Sequence, residues 1–356
     1  MSRESLCIKV PKAYGEKTII LANKLGLSDR KLVIQSDEQH VRVPIINRPS
    51  EKEMLTFKKQ IPKFHLDAGV FQERTRQKET LTEVLENQLP SNLMSIAPKA
   101  LDIIGNIAIV EIPPELKTFE KAVGEAILKT HKNVKTVLAK SGAIGGEYRL
   151  RKFDLIAGEH KTKTIHKEFG CQYHIDVANA YFSPRLSYEH NRVASLVKKG
   201  EIVVDLFAGV GPFAVLIAKK TEDVKVYALD INPDAVELLK KNIRLNRVQN
   251  YVVPIVGDAR KIVKQMLLGT ADRVIMNLPE SGIEFVDVAC QALKHECGVA
   301  HFYNFVRAPD SVEALKNRVA EAVGKAGRKV EQFLSSKAVR ETAPYEWQIV
   351  LDAKIV

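Results

Sequence analysis

The sequence predicts an α/β protein, with one doubly wound, mostly parallel sheet in the C-terminal half and two smaller α+β units before it. Three observations predict it. The run Ile202-Val203-Val204-Asp205 is apolar and β-branched, ends in an acid, breaks into Leu206-Phe207-Ala208-Gly209-Val210-Gly211, and restarts as an apolar helix at Pro212-Phe213. That is the strand–turn–helix of a nucleotide-binding unit, whose glycines let the backbone turn tightly and approach a ligand. Three further apolar runs then end in Asp230, in Gly257-Asp258 and in Asn277-Leu278-Pro279-Glu280, so four successive strands put polar groups at one edge of a Rossmann-like sheet. Last strands are expected at 298–305, 329–334 and 347–353, the final two forming a C-terminal hairpin.

At 356 residues the chain accommodates two or three domains. With 45% hydrophobic and 27% charged residues it has the composition of a globular protein, not of a fibrous or disordered one. Its net charge of +11 is spread along the chain, which suits a polyanionic partner, RNA or DNA, although basic proteins also gain solubility from such a charge. The cysteines Cys7, Cys171, Cys290 and Cys297 form no C-x-x-C pair, as expected of reduced thiols in a cytoplasmic protein. There is no signal-peptide pattern, no apolar run long enough for a membrane span and no repeat.

Taken in order, residues 1–55 read as a small α+β unit. It has a helix over 14–25 stopped by Gly26, and strands over 31–34 and 41–46 around the polar turn Ser36-Asp37-Glu38. Residues 56–79 read as a charged connector, with Lys58-Lys59 and the Arg74-Thr75-Arg76 cluster. A second α+β unit is expected over 80–178. In it, Gly105-Asn106 signals a two-residue hairpin between strands at 101–104 and 107–112, followed by a helix over 119–130 and a strand over 134–138. A flexible loop at 141–146 and a hairpin through 164–176 complete it. The loop 180–186 and a helix over 188–197 lead into the large sheet, over 179–356.

Gly209-Val210-Gly211-Pro212-Phe213-Ala214 also matches the dinucleotide pattern, and Asp230 lies about twenty residues on, where a ribose-binding carboxylate belongs. A nicotinamide domain needs only those two features. The acid after the third strand and the Asn-x-Pro turn after the fourth look instead like a class I S-adenosylmethionine methyltransferase. Helix-capping acids would explain each position singly but not the series. Methyl transfer requires a positioned donor and acceptor and the management of one proton. No cysteine follows Pro279, which disfavours thiolate activation of a pyrimidine carbon; an Asn beside a turn that can stack suits attack by a nitrogen of a flat base. The spacing of His166, Cys171 and His174 scatters them over both faces of a hairpin, so no metal is expected.

Tyr148-Arg149-Leu150-Arg151, Ala157-Gly158-Glu159-His160, Thr164-Ile165-His166-Lys167-Glu168, Tyr181-Phe182-Ser183-Pro184-Arg185-Leu186, the stretch from Asp205 to Phe213, Asp230-Ile231-Asn232-Pro233 and Asn277-Leu278-Pro279 occur in this order. Together they resemble the archaeal and eukaryotic tRNA (guanine-37, N1)-methyltransferases. The resemblance is strong from Tyr148 onward and looser before it, where it fits the three-domain archaeal form. It implies that Glu189, eight residues after Tyr181, removes the guanine N1 proton and that Arg149 stabilises charge on O6. It further implies that Asn277 holds the base edge and Pro279 packs on its face. For S-adenosylmethionine, Asp230 is implied on the ribose hydroxyls and Asp258 on the adenine amino group. Phe207, Gly209 and Gly211 would shape the pocket, with Tyr181 and Arg185 near the methionine end; Asp205, Ile231 and Asn277 complete the donor set. Without the resemblance, Glu189 reads as a helix acid paired with Arg192 or Arg185, and Arg149 as a strand-edge arginine. The expectation is a monomer acting on tRNA, its small N-terminal unit reading tRNA tertiary shape. Rivals are a wyosine-pathway enzyme at the same tRNA position and a non-catalytic RNA-binding protein of the same fold.

Overall fold

The computed structural model describes residues 2–73, 79–142, 145–146 and 148–356, so the Arg74-Thr75-Arg76 cluster and part of the glycine-rich loop at 141–146 lie outside the described residues. The chain forms two compact units, Met1–Thr80 and Leu81–Val356.

In the first unit, β1 (Ser2–Pro11), α1 (Gly15–Lys24), β2 (Gln35–Ser36), β3 (His40–Pro44), α2 (Glu51–Gln60) and β4 (His65–Gln72) follow one another. The antiparallel sheet has the order β2-β3-β1-β4. Ile8, Val10, Val41 and Val43 of the strands meet Leu21, Ala22, Phe57 and Ile61 in one core. Ser50 opens α2 with a capping box: its hydroxyl accepts from the Glu53 N–H while Glu53 reaches back to the Ser50 N–H. The connector expected over 56–79 is therefore corrected. Its first part continues α2, and residues 65–72 are a strand paired along β1. Charged residues dilute the apolar pattern there, but Phe57, Ile61 and Phe71 are fully buried anchors. The strand expected at 31–34 is loop, and β1 was not foreseen because its outer half is polar and exposed.

The second unit begins with α3 (Leu81–Glu86), β5 (Asp102–Ile104), β6 (Ile107–Val110), α4 (Glu120–Thr130), β7 (Thr136–Lys140) and β8 (Phe153–Gly158), with the sheet order β5-β6-β7-β8. The Gly105-Asn106 hairpin forms as its residues predict; Gly105 has φ +57°, and a Cβ there would lie 2.2 Å from Thr164 Oγ1. A second hairpin, β9 (Lys163–Glu168) and β10 (Cys171–Asp176), leads to α5 (Ser187–Leu196). Then come β11 (Ile202–Asp205), α6 (Pro212–Lys220), β12 (Lys225–Asp230), α7 (Pro233–Leu245), β13 (Val252–Val256), α8 (Ala259–Ile262) and β14 (Arg273–Met276). After α9 (Val286–Ala292), β15 (Gly298–Arg307) and α10 (Val312–Lys325), the chain closes on the hairpin β16 (Val330–Ala343) and β17 (Glu346–Ile355). The seven strands run in the order β13-β12-β11-β14-β15-β17-β16, the first five mutually parallel, β17 antiparallel to β15 and β16 antiparallel to β17.

The boundary expected between 178 and 179 does not separate two compact bodies. Ile104, Ile107, Leu138, Tyr173 and Ile175 share one core with Val203, Phe213, Ile217 and Tyr303 of the large sheet and its helices. Two asparagines one turn apart, Asn242 on α7 and Asn246 at its C-cap, reinforce the join. The Asn242 carboxamide accepts from the His174 N–H at 2.6 Å and donates to the His174 and Val210 carbonyls. Asn246 accepts from the Gln172 N–H at 2.9 Å and donates to the Gln172 carbonyl at 2.6 Å. The helix thus satisfies alternate backbone groups of β10 as a neighbouring strand would.

Candidate active site

The turn after β11 is shaped by its glycines. Gly209 has φ +54°; Gly211, the N-cap of α6, has φ +87°, and a Cβ there would stand 2.2 Å from Leu239 Cδ1. Pro212 takes the first helical position, as its residue type favours. Asp230, at the end of β12, fixes the turn from the side. Its carboxylate accepts from the Gly209 N–H at 2.7 Å and from the Asn232 N–H at 2.9 Å. Burial raises the Asp230 pKa, opposed by those two N–H donors.

The four strand ends converge as predicted on one cavity of about 700 Å³, lined among others by Gly209, Asp230, Asp258 and Asn277. Phe207, Ile231, Tyr181, Arg185, Arg149 and Pro279 also line it. Asp258 caps α8, accepting from the Arg260 N–H at 2.7 Å. Phe207 meets Phe285 edge to face at 5.1 Å, and the Arg260 guanidinium lies 3.7 Å above the Phe285 ring, giving the Asp258 side of the cavity aromatic walls. Gly211 shapes the turn from behind and is not on the cavity wall.

Facing this wall, Arg149 holds Glu280 in a two-pronged ion pair at 2.6 and 2.5 Å, joining the loop after β7 to the turn after β14. Arg149 has φ +54°, a left-handed backbone that is uncommon for a side chain of its size. Arg185 pairs with Asp102 at 2.5 Å, which fastens the 180–186 loop to β5. Sequence reasoning missed Arg340 of β16. It donates to Ser183 Oγ at 2.7 Å, Tyr181 Oη at 3.1 Å and Gln348 Oε1 at 2.8 Å, and Gln348 in turn donates to Asn277 Oδ1 at 3.2 Å. His190 also lines the cavity, its Nδ1 2.9 Å from Glu168 and its ring edge-on to Phe213. No local motif points to Arg340 or Gln348; the fold-back of the last hairpin brings them to the site.

Besides Gly211, two expected residues stand off the cavity wall. Glu189 is 8% exposed. Arg192 grips its carboxylate at 2.7 and 2.8 Å, and the Tyr303 hydroxyl donates to it at 2.5 Å. Arg192 continues to Asp352 at 2.6 Å, so Glu189 belongs to a buried charge network, and the alternative pairing with Arg192 is the one observed. Burial, together with the charge of Glu189, raises the Tyr303 pKa well above the usual phenol range, keeping its hydroxyl a donor. Asp205 is also corrected: it is fully buried beneath the turn, with Oδ1 3.4 Å from the Phe207 N–H and Oδ2 unpartnered among the described residues. Burial, opposed by that N–H and reinforced by Asp230, pushes its pKa up to about 8.

Comparison with known proteins matches residues 164–332 to the TRM5/TYW2 methyltransferase domain, 81–162 to the TYW2 N-terminal domain and 7–53 to the tRNA methyltransferase 5 N-terminal domain. The tRNA (guanine(37)-N(1))-methyltransferase Trm5b of Pyrococcus abyssi is 40% identical over 351 residues, 99% of each chain. The crystal structure of that protein superposes with a TM-score of 0.74 at 38% identity, covering 99% of both chains. A complex of aTrm5 with tRNALeu superposes at 0.69, with 32% identity over 99% of this chain and 100% of the other. Methanocaldococcus jannaschii TYW2 in complex with AdoMet superposes at 0.56, with 29% identity over 72% of this chain and 99% of that one. With 40% identity running over 99% of both chains and the methyltransferase-domain match, the chain belongs to the TRM5/TYW2 methyltransferase family.

Proposed function

We propose that this protein is a tRNA (guanine-37, N1)-methyltransferase that uses S-adenosylmethionine. One observation carries the reading: Gly209, Asp230, Asp258 and Asn277, from four successive strand ends, share a cavity with Arg149. The wall fits the donor. A carboxylate that already orders the glycine turn stands at the end of β12, as a ribose-binding acid would. The aromatic wall beside Asp258 suits a flat adenine.

S-adenosylmethionine, when bound, supplies an electrophilic methyl group. Asp230 would hold the ribose hydroxyls, Asp258 the adenine amino group, and Phe207 with Ile231 the faces of the ring. Tyr181 and Arg185 would border the methionine end. Opposite them, Asn277 would hold the guanine edge and Pro279 would stack on it, while Arg149 would stabilise charge on O6 as N1 loses its proton. The base must leave the anticodon loop to reach this depth. The role of proton acceptor falls to Glu189 by resemblance, and it requires the carboxylate to be released from Arg192 and Tyr303 when the base is bound. All of these residues come from one compact unit, so the site needs no second subunit, and we read the enzyme as a cytoplasmic monomer. The first unit would read the tRNA elbow through shape and phosphate contacts; full-efficiency modification of a bare anticodon stem-loop by the intact enzyme would remove that role.

The test is methyl transfer from labelled S-adenosylmethionine to unmodified tRNA transcripts with guanine or adenine at position 37, followed by nucleoside analysis. 1-Methylguanosine from the guanine transcript alone is expected. Label in any other nucleoside, or none despite donor binding, would overturn the assignment.

A further inference from the structure

Resting on the reading that guanine N1 is the acceptor, we propose that Arg149 and Glu280 are the two halves of a clasp for the guanine edge. The entering base separates them, Arg149 binding O6 and Glu280 binding the 2-amino group. In guanine, N1 is flanked by a hydrogen-bond acceptor on one side, O6, and by a donor on the other, the exocyclic amine. N1 itself must stay open to the incoming methyl group. A recognition site therefore needs a donor and an acceptor of its own set apart by the width of the ring edge. Arg149 and Glu280 both line the cavity and supply the two, held against each other until a base enters.

The chemistry of the exchange is favourable on three counts. Arg149 is pure donor and the Glu280 carboxylate pure acceptor, so each suits one flank of N1 and neither suits the other. Glu280 is 56% exposed, and an ion pair with so wet a partner is weakly held and readily traded for two charge-assisted bonds to the base. Glu280 also follows Asn277 by three residues on one turn, so a base held by Asn277 lies within reach of its side chain. Adenine fails both halves: it presents an amino group to Arg149 and a C–H to Glu280. The unbound pair also leaves neither charge unpaired while the site waits for substrate.

Inosine at position 37 isolates the claim, because it keeps O6 and N1 and lacks the 2-amino group. Single-turnover methyl transfer would be measured on full-length tRNAs carrying guanine or inosine at that position. The wild-type enzyme should prefer guanine by about 10- to 100-fold, the effect of one charge-assisted hydrogen bond. Glu280→Ala should bring the ratio close to one, chiefly by slowing the guanine reaction, and Glu280→Gln should lie between. Titration of each variant with S-adenosylmethionine shows that the donor half remains folded. A guanine preference in Glu280→Ala equal to that of the wild type, or no preference in the wild type, would overturn the clasp while leaving the methyltransferase reading intact. Failure of the wild type to methylate either tRNA would sink the functional reading, and the clasp with it.

Discussion

The Tyr303 hydroxyl donates to Glu189 Oε1 across 2.5 Å, joining the middle of β15 to the first turn of α5. With Arg192 on its other side, Glu189 has a structural task beside the chemical one proposed for it. The two are separable. If Glu189 is the base, Glu189→Gln lowers single-turnover methyl transfer by about 10²- to 10⁴-fold while donor affinity is kept. If it serves chiefly as counter-charge to Arg192, the variant loses thermal stability and its rate falls by less than threefold, about the limit of a general packing effect.

Asp205 makes stability depend on pH with an unusual sign. In the native state it keeps its proton up to about pH 8, whereas an unfolded Asp releases it near pH 3.9. Between those values the unfolded chain binds fewer protons, so this residue's contribution to stability falls as pH rises and levels off above about 8. Asp205→Asn removes the titration. Denaturant midpoints should show the variant more stable than the wild type at pH 8, with the advantage fading towards pH 4. Parallel curves for the two proteins would contradict the buried, protonated state.

Gly211→Ala should be costly for two reasons. A left-handed backbone disfavours any side chain by about 1–2 kcal/mol, and the new methyl group would have to displace Leu239. Unfolding free energy should fall by about 2 kcal/mol or more, and calorimetric titration should show weaker donor binding, because the turn that forms the floor of the site shifts. Unchanged affinity would mean that the turn relaxes without disturbing the cavity.

Arg340 spans three segments with one guanidinium, and removing it frees the Tyr181–Ser183 loop as well as the Gln348 link to Asn277. Arg340→Ala should raise the KM for the methyl donor by about tenfold, with stability altered by less than about 1 kcal/mol because the residue is partly exposed. Arg340→Lys should restore little, since an ammonium lacks the planar fork that reaches three acceptors at fixed angles. Full activity in the lysine variant would reduce the role to one of charge.

The donor half of the site was legible because it is local. Each of the four strands carries its site residue at its last position or in the turn that follows, so reading the strands also locates Gly209, Asp230, Asp258 and Asn277 at one edge. What could not be read depends on distant segments meeting. Glu280 gains its meaning from Arg149, 131 positions away, and Arg340 from Ser183, 157 positions away. Asp205 resembled a ligand-facing acid, but it ends a central strand whose last three residues are all buried, beneath the turn and off the cavity wall. The connector at 56–79 was misread because three buried aromatic and aliphatic anchors outweigh the many charges around them. The supposed border near 178 vanished because the sequence of β10 gives no sign that Asn242 and Asn246, on a helix some seventy residues on, will bond to it.

That last arrangement has a consequence for how the protein behaves in a crowded solution. A two-stranded ribbon such as β9–β10 offers an open row of amide donors and acceptors, a template on which another chain can add a strand and begin to aggregate. On the β10 side, two carboxamides on a helix already occupy the groups of Gln172 and His174. That edge is covered without a third strand having been built, and the residues that cover it lie on and at the C-cap of the same helix whose N-terminus abuts the Asp230 turn. Protection against intermolecular pairing and alignment of the donor site are thus secured by a single rigid rod.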